Sequence, residues 1–192
     1  MSETETQHPS GETAAERDRF NNFIAVAVAL VSGFMAVSKI KDDNVVQAMQ
    51  KAQTETVDYW NEYQARRLRQ FTAEMIIDQT RATQPSTPAL EEKIAAWKKQ
   101  ADTFGSRAEE AAAKAKARSA AYEAGNDIDD LFDLSDAMLS LSLALFAVTA
   151  LVRVHWLFGL AAALALGGMT FGVAGFGGWT ALHPTFLTSL LN

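Results

Sequence analysis

From residue 137 to residue 192 the chain carries a single formal charge, Arg153, in fifty-six residues. A helix needs about 20 apolar residues, at 1.5 Å each, to cross the hydrocarbon core of a bilayer. The uncharged stretches on either side of Arg153, residues 137–152 and 154–182, are close to that length. The ninety residues before them have the opposite character. Residues 41–130 hold 13 Lys and Arg against 16 Asp and Glu. A membrane-embedded tail and a water-exposed helical segment therefore share one chain.

The composition excludes several kinds of chemistry. A net charge of −3 over residues 41–130, with no basic cluster, leaves no footprint for nucleic acid. The chain has no cysteine, so disulfides, thiolate metal sites and a cysteine nucleophile are ruled out. His8, His155 and His183 are scattered, and none has a partner at metal-ligand spacing. Glu109 with Glu110, and Asp129 with Asp130, are neighbours that point about 100° apart on a helix, so they read as solvated or capping groups. His155 and His183 read as interfacial anchors. No cofactor, metal or catalytic residue is expected, and the chain is not expected to be an enzyme.

Residues 1–16 are polar and acidic and read as a disordered tail. Residues 23–37 (FIAVAVALVSGFMAV) form a continuous apolar run between Arg17 and Arg19 on one side and Lys39 and Lys41 on the other. Ala36-Val37-Ser38 loosely resembles a signal-peptide cleavage site, but apolar residues continue through Ile40, favouring a retained membrane helix over residues 17–41. No glycine or proline occurs between Phe34 and Gln84, so this helix is expected to run on into water.

Beyond it, bulky residues recur every eleven positions. Val46, Val57 and Leu68 make one row, Met49, Trp60 and Phe71 a second, Gln53, Gln64 and Met75 a third. Eleven residues over three turns predicts a straight amphipathic helix with these rows on its buried face. Trp60 is expected in the core, with Gln64 hydrogen-bonded between helices. Gln84-Pro85-Ser86-Thr87-Pro88 ends the helix, with Thr87 as N-cap of the next and Pro88 in its first turn. The second helix shows 3–4 spacing through Leu90, Ile94, Trp97, Ala101, Phe104, Ala108 and Ala111. Folding back about the turn would set Phe71 near Trp97, Trp60 near Ala108 and Met49 near Tyr122. Gly125 is expected to end this helix and Asn126 to cap a third, which enters the bilayer near Asp136.

Arg153-Val154-His155 allows only a tight turn. The last helix, residues 156–179, is glycine-rich, and Gly168 and Gly172 have the spacing that lets membrane helices approach closely. No Asp, Glu, Lys or Arg lies within the apolar runs at mid-bilayer depth, where ion pathways usually place one.

The segments DYWNEYQAR, FNNFIAVAVAL and LVRVHWLFGLAAALALGG resemble a bacterial membrane-protein family, domain of unknown function 4337. Its Trp, Tyr, Gln, Ala, basic motif falls here on Trp60, Tyr63, Gln64, Ala65 and Arg66. The resemblance implies one N-terminal membrane helix, a charged helical region and a C-terminal membrane hairpin, and it implies no activity.

The expected fold is an all-α membrane protein: three transmembrane helices, with a long antiparallel, coiled-coil-like helical hairpin (residues 42–126) inserted between the first and second. Residues 127–192 form the C-terminal membrane hairpin. Trp60, Tyr63, Gln64, Arg66, Phe71, Trp97, Gly168 and Gly172 are the candidate packing and assembly residues. The expected role is a membrane-anchored scaffold, or an accessory subunit of a membrane complex. Its partners would be the lipid bilayer, further copies of itself and other membrane-complex subunits, with no nucleic acid. The alternative is a small oligomeric channel or transporter component. Arg17, Arg19 and Arg153 against Lys39 and Lys41 favour a cytoplasmic N-terminus in the bacterial inner membrane, with the hairpin outside.

Overall fold

The computed structural model describes residues 14–179 and 181, with side chains from Asp18 onward. Residues 1–13, including His8, where a disordered tail is expected, and His183-Pro184 lie outside the described residues. All regular structure among the described residues is helical: α1 (Ala14–Thr83), α2 (Pro88–Val152) and α3 (His155–Gly177). Each is long and apolar enough to cross a membrane. Helix α1 begins at Ala14, inside the stretch expected to be a tail, and continues unbroken for 70 residues because no helix breaker intervenes after Gly33.

The stop and restart between α1 and α2 follow the local chemistry. Gln84 N–H closes the last turn on Thr80 O at 3.0 Å, and Pro85 disfavours helical backbone at Gln84. Thr87 then accepts from the backbone N–H of Leu90, through its carbonyl at 3.0 Å and its Oγ1 at 3.3 Å. Ser86 Oγ donates to Glu91 Oε1 at 3.0 Å, and Arg81 reaches Glu91 across the turn at 3.8 Å. The side-chain cap bond is long, so Thr87→Ala is expected to lower stability by only about 0.5–1 kcal/mol. Chemical denaturation of the variant checks this.

Gly125 does not end a helix, and no third helix starts at Asn126. Helix α2 runs through both for 65 residues. The glycine serves close packing instead: a Cβ there would lie 2.5 Å from Met49 Cγ. Met49 therefore sits against Gly125, about one turn beyond the expected Tyr122.

The molecule divides into two compact units, one comprising residues up to Asp43 with those from Asp127 on, the other Asn44–Asn126. In the second unit, contacts descend α1 as they ascend α2: Arg81 with Glu91, Gln70 with Gly105, Tyr59 with Lys114, Glu55 with Arg118, Met49 with Gly125. Among the half-buried and buried positions of α1 here, Met49, Ala52, Thr56, Tyr59, Tyr63, Arg66, Gln70, Ala73 and Ile77 follow alternating steps of three and four, with Val45, Val46, Glu55, Glu62 and Thr80 half-buried beside them. They meet a row of small residues, with Ala101, Ala108, Ala111 and Ala115 all at 2% exposure or less.

Past Val46 and Met49, which are covered, this overturns the eleven-residue stripe as the buried face. Val57, Leu68, Phe71 and Met75 are exposed, and Trp60 is 36% exposed. A period of 3.67 residues per turn drifts away from a contact line of period 3.5, so the rows leave the seam as they advance.

The first unit buries bulky apolar side chains together with small and hydroxyl residues, and exposes further bulky apolar ones. Its core is Ile24, Val31, Leu139, Phe146, Ala161 and Ala165. Helix α3 buries Ala161, Ala165, Gly168, Gly172 and Gly175, again at steps of four and three. Phe23, Leu30, Val37, Leu141, Leu151 and Leu166 face outward. In lipid this exterior needs no cover, because the tails are as apolar as the side chains.

The turn between α2 and α3 is as short as expected. Arg153 closes α2 in left-handed backbone, φ 60°, and its N–H meets Thr149 O at 2.8 Å. An L-residue there is strained by about 1–2 kcal/mol. Arg153→Gly is expected to raise thermal stability by up to about 1 kcal/mol, read from melting in detergent.

Candidate functional site

Helix α2 carries three hydroxyls seven residues apart, Ser135, Ser142 and Thr149, each at 1% exposure or less. Two are paired. Ser142 Oγ donates to Ala161 O on α3 at 2.8 Å, and Thr149 Oγ1 donates to Leu145 O of its own helix at 2.7 Å. Ser135 Oγ has no partner. Gly172 leaves room for it, since a Cβ there would stand 2.9 Å from that oxygen and 2.7 Å from the Phe34 ring.

Ser135 belongs to a polar end of the first unit. A small space of about 10 Å³ is lined there by Met35, Ser38, Lys39, Asp42, Phe132, Ser135, Asp136 and Leu139. Asp42 is 5% exposed and Ser38 8%, and both Ser38 Oγ and Asp42 Oδ1 lack a hydrogen-bond partner. Lys39 Nζ donates to the other oxygen, Asp42 Oδ2, at 2.6 Å, and lies 3.7 Å from Asp43.

Carboxylates crowd the same end. Burial pushes the Asp129 carboxyl up to about 6, helped by its approach to Asp42 and repulsion from Asp133. Asp133 is raised too, by burial and then by the Asp42 charge, against the pull of Lys39. An acid whose folded value is raised binds its proton more tightly in the native state. Stability is therefore expected to fall as pH rises from about 4 through about 6. Asp129→Asn is expected to flatten that slope in pH-dependent melts.

The second unit presents a different feature. Val57, Leu68, Phe71, Met75 and Ile76 are exposed on α1 although the segment is charged. An open groove of about 470 Å³ is lined by Leu68, Thr72, Ile76, Trp97, Gln100 and Phe104, among others. The Trp97 and Phe104 side chains are half-buried.

The packing residues singled out from sequence separate into four groups. Tyr63 and Arg66 lie on the seam, Arg66 paired with Glu62 one turn back. Trp60 packs edge-on against Tyr63, ring centres 5.5 Å apart, but lies one residue round from the seam, and Gln64 and Phe71 are exposed. The core role expected for Trp60 and the bond between helices expected for Gln64 are therefore not what the fold builds. Trp97 joins Leu68 in the groove. Gly168 and Gly172 are buried on α3, against Leu139 and Ser135, and against Phe34 and Ser135. His155 stacks on Phe20 with ring centres 4.6 Å apart.

Ser38, Asp42 and Ser135 were not singled out from sequence. The available signal was polar residues continuing the 3–4 and seven-residue spacing of the apolar runs. Among the described residues no three His, Cys, Asp or Glu side chains are placed to hold a metal ion.

No curated protein and no solved structure matches the chain. A family profile does match, over residues 20–178, which takes in all three apolar runs and the charged segment between them. The chain belongs to the family described as Domain of unknown function (DUF4337).

Proposed function

We propose that this protein is a membrane-anchored scaffold that assembles with further copies of itself through the outer face of its charged helical segment. The observation behind this is the exposed apolar set Val57, Leu68, Phe71 and Met75, which the intramolecular seam leaves uncovered. Large apolar side chains exposed in a row on a charged segment mark an interaction surface. A second copy suits it because an identical helix repeats the same eleven-residue spacing, and a two-fold contact is self-complementary by construction. The groove beside Leu68, Trp97 and Phe104 has the size to accept apolar side chains from such a neighbour.

In this reading residues 42–126 are an antiparallel hairpin of coiled-coil character, supported by the descending contact order and the 3–4 burial steps. Residues 17–41 and 127–192 anchor it in the cytoplasmic membrane. The Arg17, Arg19 and Arg153 side faces the cytoplasm, and the hairpin stands outside. Other subunits of a membrane complex would dock on the same stripe.

Leu68→Glu with Phe71→Glu tests the reading. Both residues are exposed, so the pair is expected to keep helicity and melting behaviour while lowering the native mass in mild detergent to that of a monomer. A wild type that is itself monomeric, or a variant of unchanged mass, overturns it. The alternative, a small channel or transporter component, draws on the polar end of the first unit.

A further inference from the structure

We propose that Ser38, Asp42 and Ser135 form a binding site for one small monovalent cation at the polar end of the first unit. Ser38, Asp42 and Ser135 line one small space, and Ser38 Oγ, Asp42 Oδ1 and Ser135 Oγ are buried without a hydrogen-bond partner. Their residues are 8%, 5% and 1% exposed, so solvent does not satisfy them. A buried polar atom without a partner is destabilising, and three at one spot call for an occupant. The space, about 10 Å³, holds one water-sized body.

The electrostatics favour a positive occupant over a neutral one. Asp42 on α1, and Asp129, Asp130, Asp133 and Asp136 on α2, gather at this end. Lys39 is bonded to the far oxygen of Asp42. Helix α3 brings Gly172 and Gly175, which carry no charge. Hard oxygen donors select alkali or alkaline-earth ions. A divalent ion takes six or more oxygens, several of them carboxylate, and no three acidic side chains converge among the described residues. One carboxylate with two hydroxyls matches a single positive charge.

The test uses the full chain in mild detergent, with radiolabelled sodium and rubidium, the latter standing for potassium. Melting is measured in sodium, potassium and choline chlorides at matched ionic strength. Expected is retention of one of the two labels. The same ion should give a higher melting temperature than choline. Ser135→Ala should cut affinity about tenfold or more. That variant removes a hydroxyl with no bond to lose, so it keeps the fold even where Asp42→Asn does not. Asp43→Asn, exposed and outside the space, should bind as wild type. Equal melting in all three salts with no retained label means the space holds water only and overturns the proposal. So does a Ser135→Ala protein that binds normally, or an Asp43→Asn protein that loses as much, since that marks diffuse screening.

Discussion

Leucine in place of Gly168 or Gly172 is expected to separate α3 from its neighbours in the first unit, lowering stability by about 3 kcal/mol or more. At Gly168 even a Cβ would stand 3.1 Å from Ser135 O, which is backbone of α2 and cannot turn aside, and 2.8 Å from Leu139 Cγ. At Gly172 it would meet the Phe34 ring and Ser135 Oγ. Four heavy atoms cannot enter without moving a helix, because interiors packed at this density have no spare volume. Gly159 is the internal control. Nothing lies within 4 Å of its added Cβ, so Gly159→Leu should leave melting in detergent and resistance to limited proteolysis unchanged. Equal behaviour of the three variants would mean that α3 is not packed at its glycines.

A second pair of substitutions separates the seam from the stripe in the other unit. Ile94 is 1% exposed, and Ile94→Ala is expected to cost about 2–5 kcal/mol through lost burial and the cavity left behind. Trp60 is larger, and on side-chain type alone its loss should cost more. At 36% exposure and off the seam, Trp60→Ala is expected to cost the isolated chain less than Ile94→Ala. Urea titration of both variants gives the order. A reversed order would show Trp60 covered by something outside the chain, which the self-assembly reading also demands of the oligomer. Measuring the pair again under conditions that dissociate the assembly tells the two apart.

The wrong assignment of Trp60 has a physical origin. Apolar periodicity reports where bulky residues lie on a helix and does not say which neighbour covers them. On α1 the bulky residues follow one line and the contact with α2 follows another, occupied by Thr56, Tyr59, Tyr63, Arg66 and Gln70. An alanine-rich partner makes that choice workable, since Ala108, Ala111 and Ala115 let medium and polar side chains lie flat between the helices. Gly125 misled for a related reason. Read locally, glycine near charged residues is a helix stop. In the fold it is the slot that receives Met49, seventy-six residues earlier in the chain.

What the sequence determined by itself was local or additive. Charge density marked out three stretches long and apolar enough to cross a membrane, and the absence of glycine and proline between Phe34 and Gln84 made α1 continuous. Thr87 and Pro88 placed the start of α2, and Arg153-Val154-His155 placed the turn before α3. Each depends on backbone preference or summed transfer energy over a short window. What only the tertiary structure decided was non-local: which face of α1 is covered, which glycine ends a helix and which admits a side chain, and that Ser38, Asp42 and Ser135 share one space. Ser38 and Ser135 are ninety-seven residues apart, and nothing in either neighbourhood records the other. Their meeting, and the unsatisfied oxygens it leaves, follow from packing three helices at steps of three and four, a property of the assembled unit and of none of its segments.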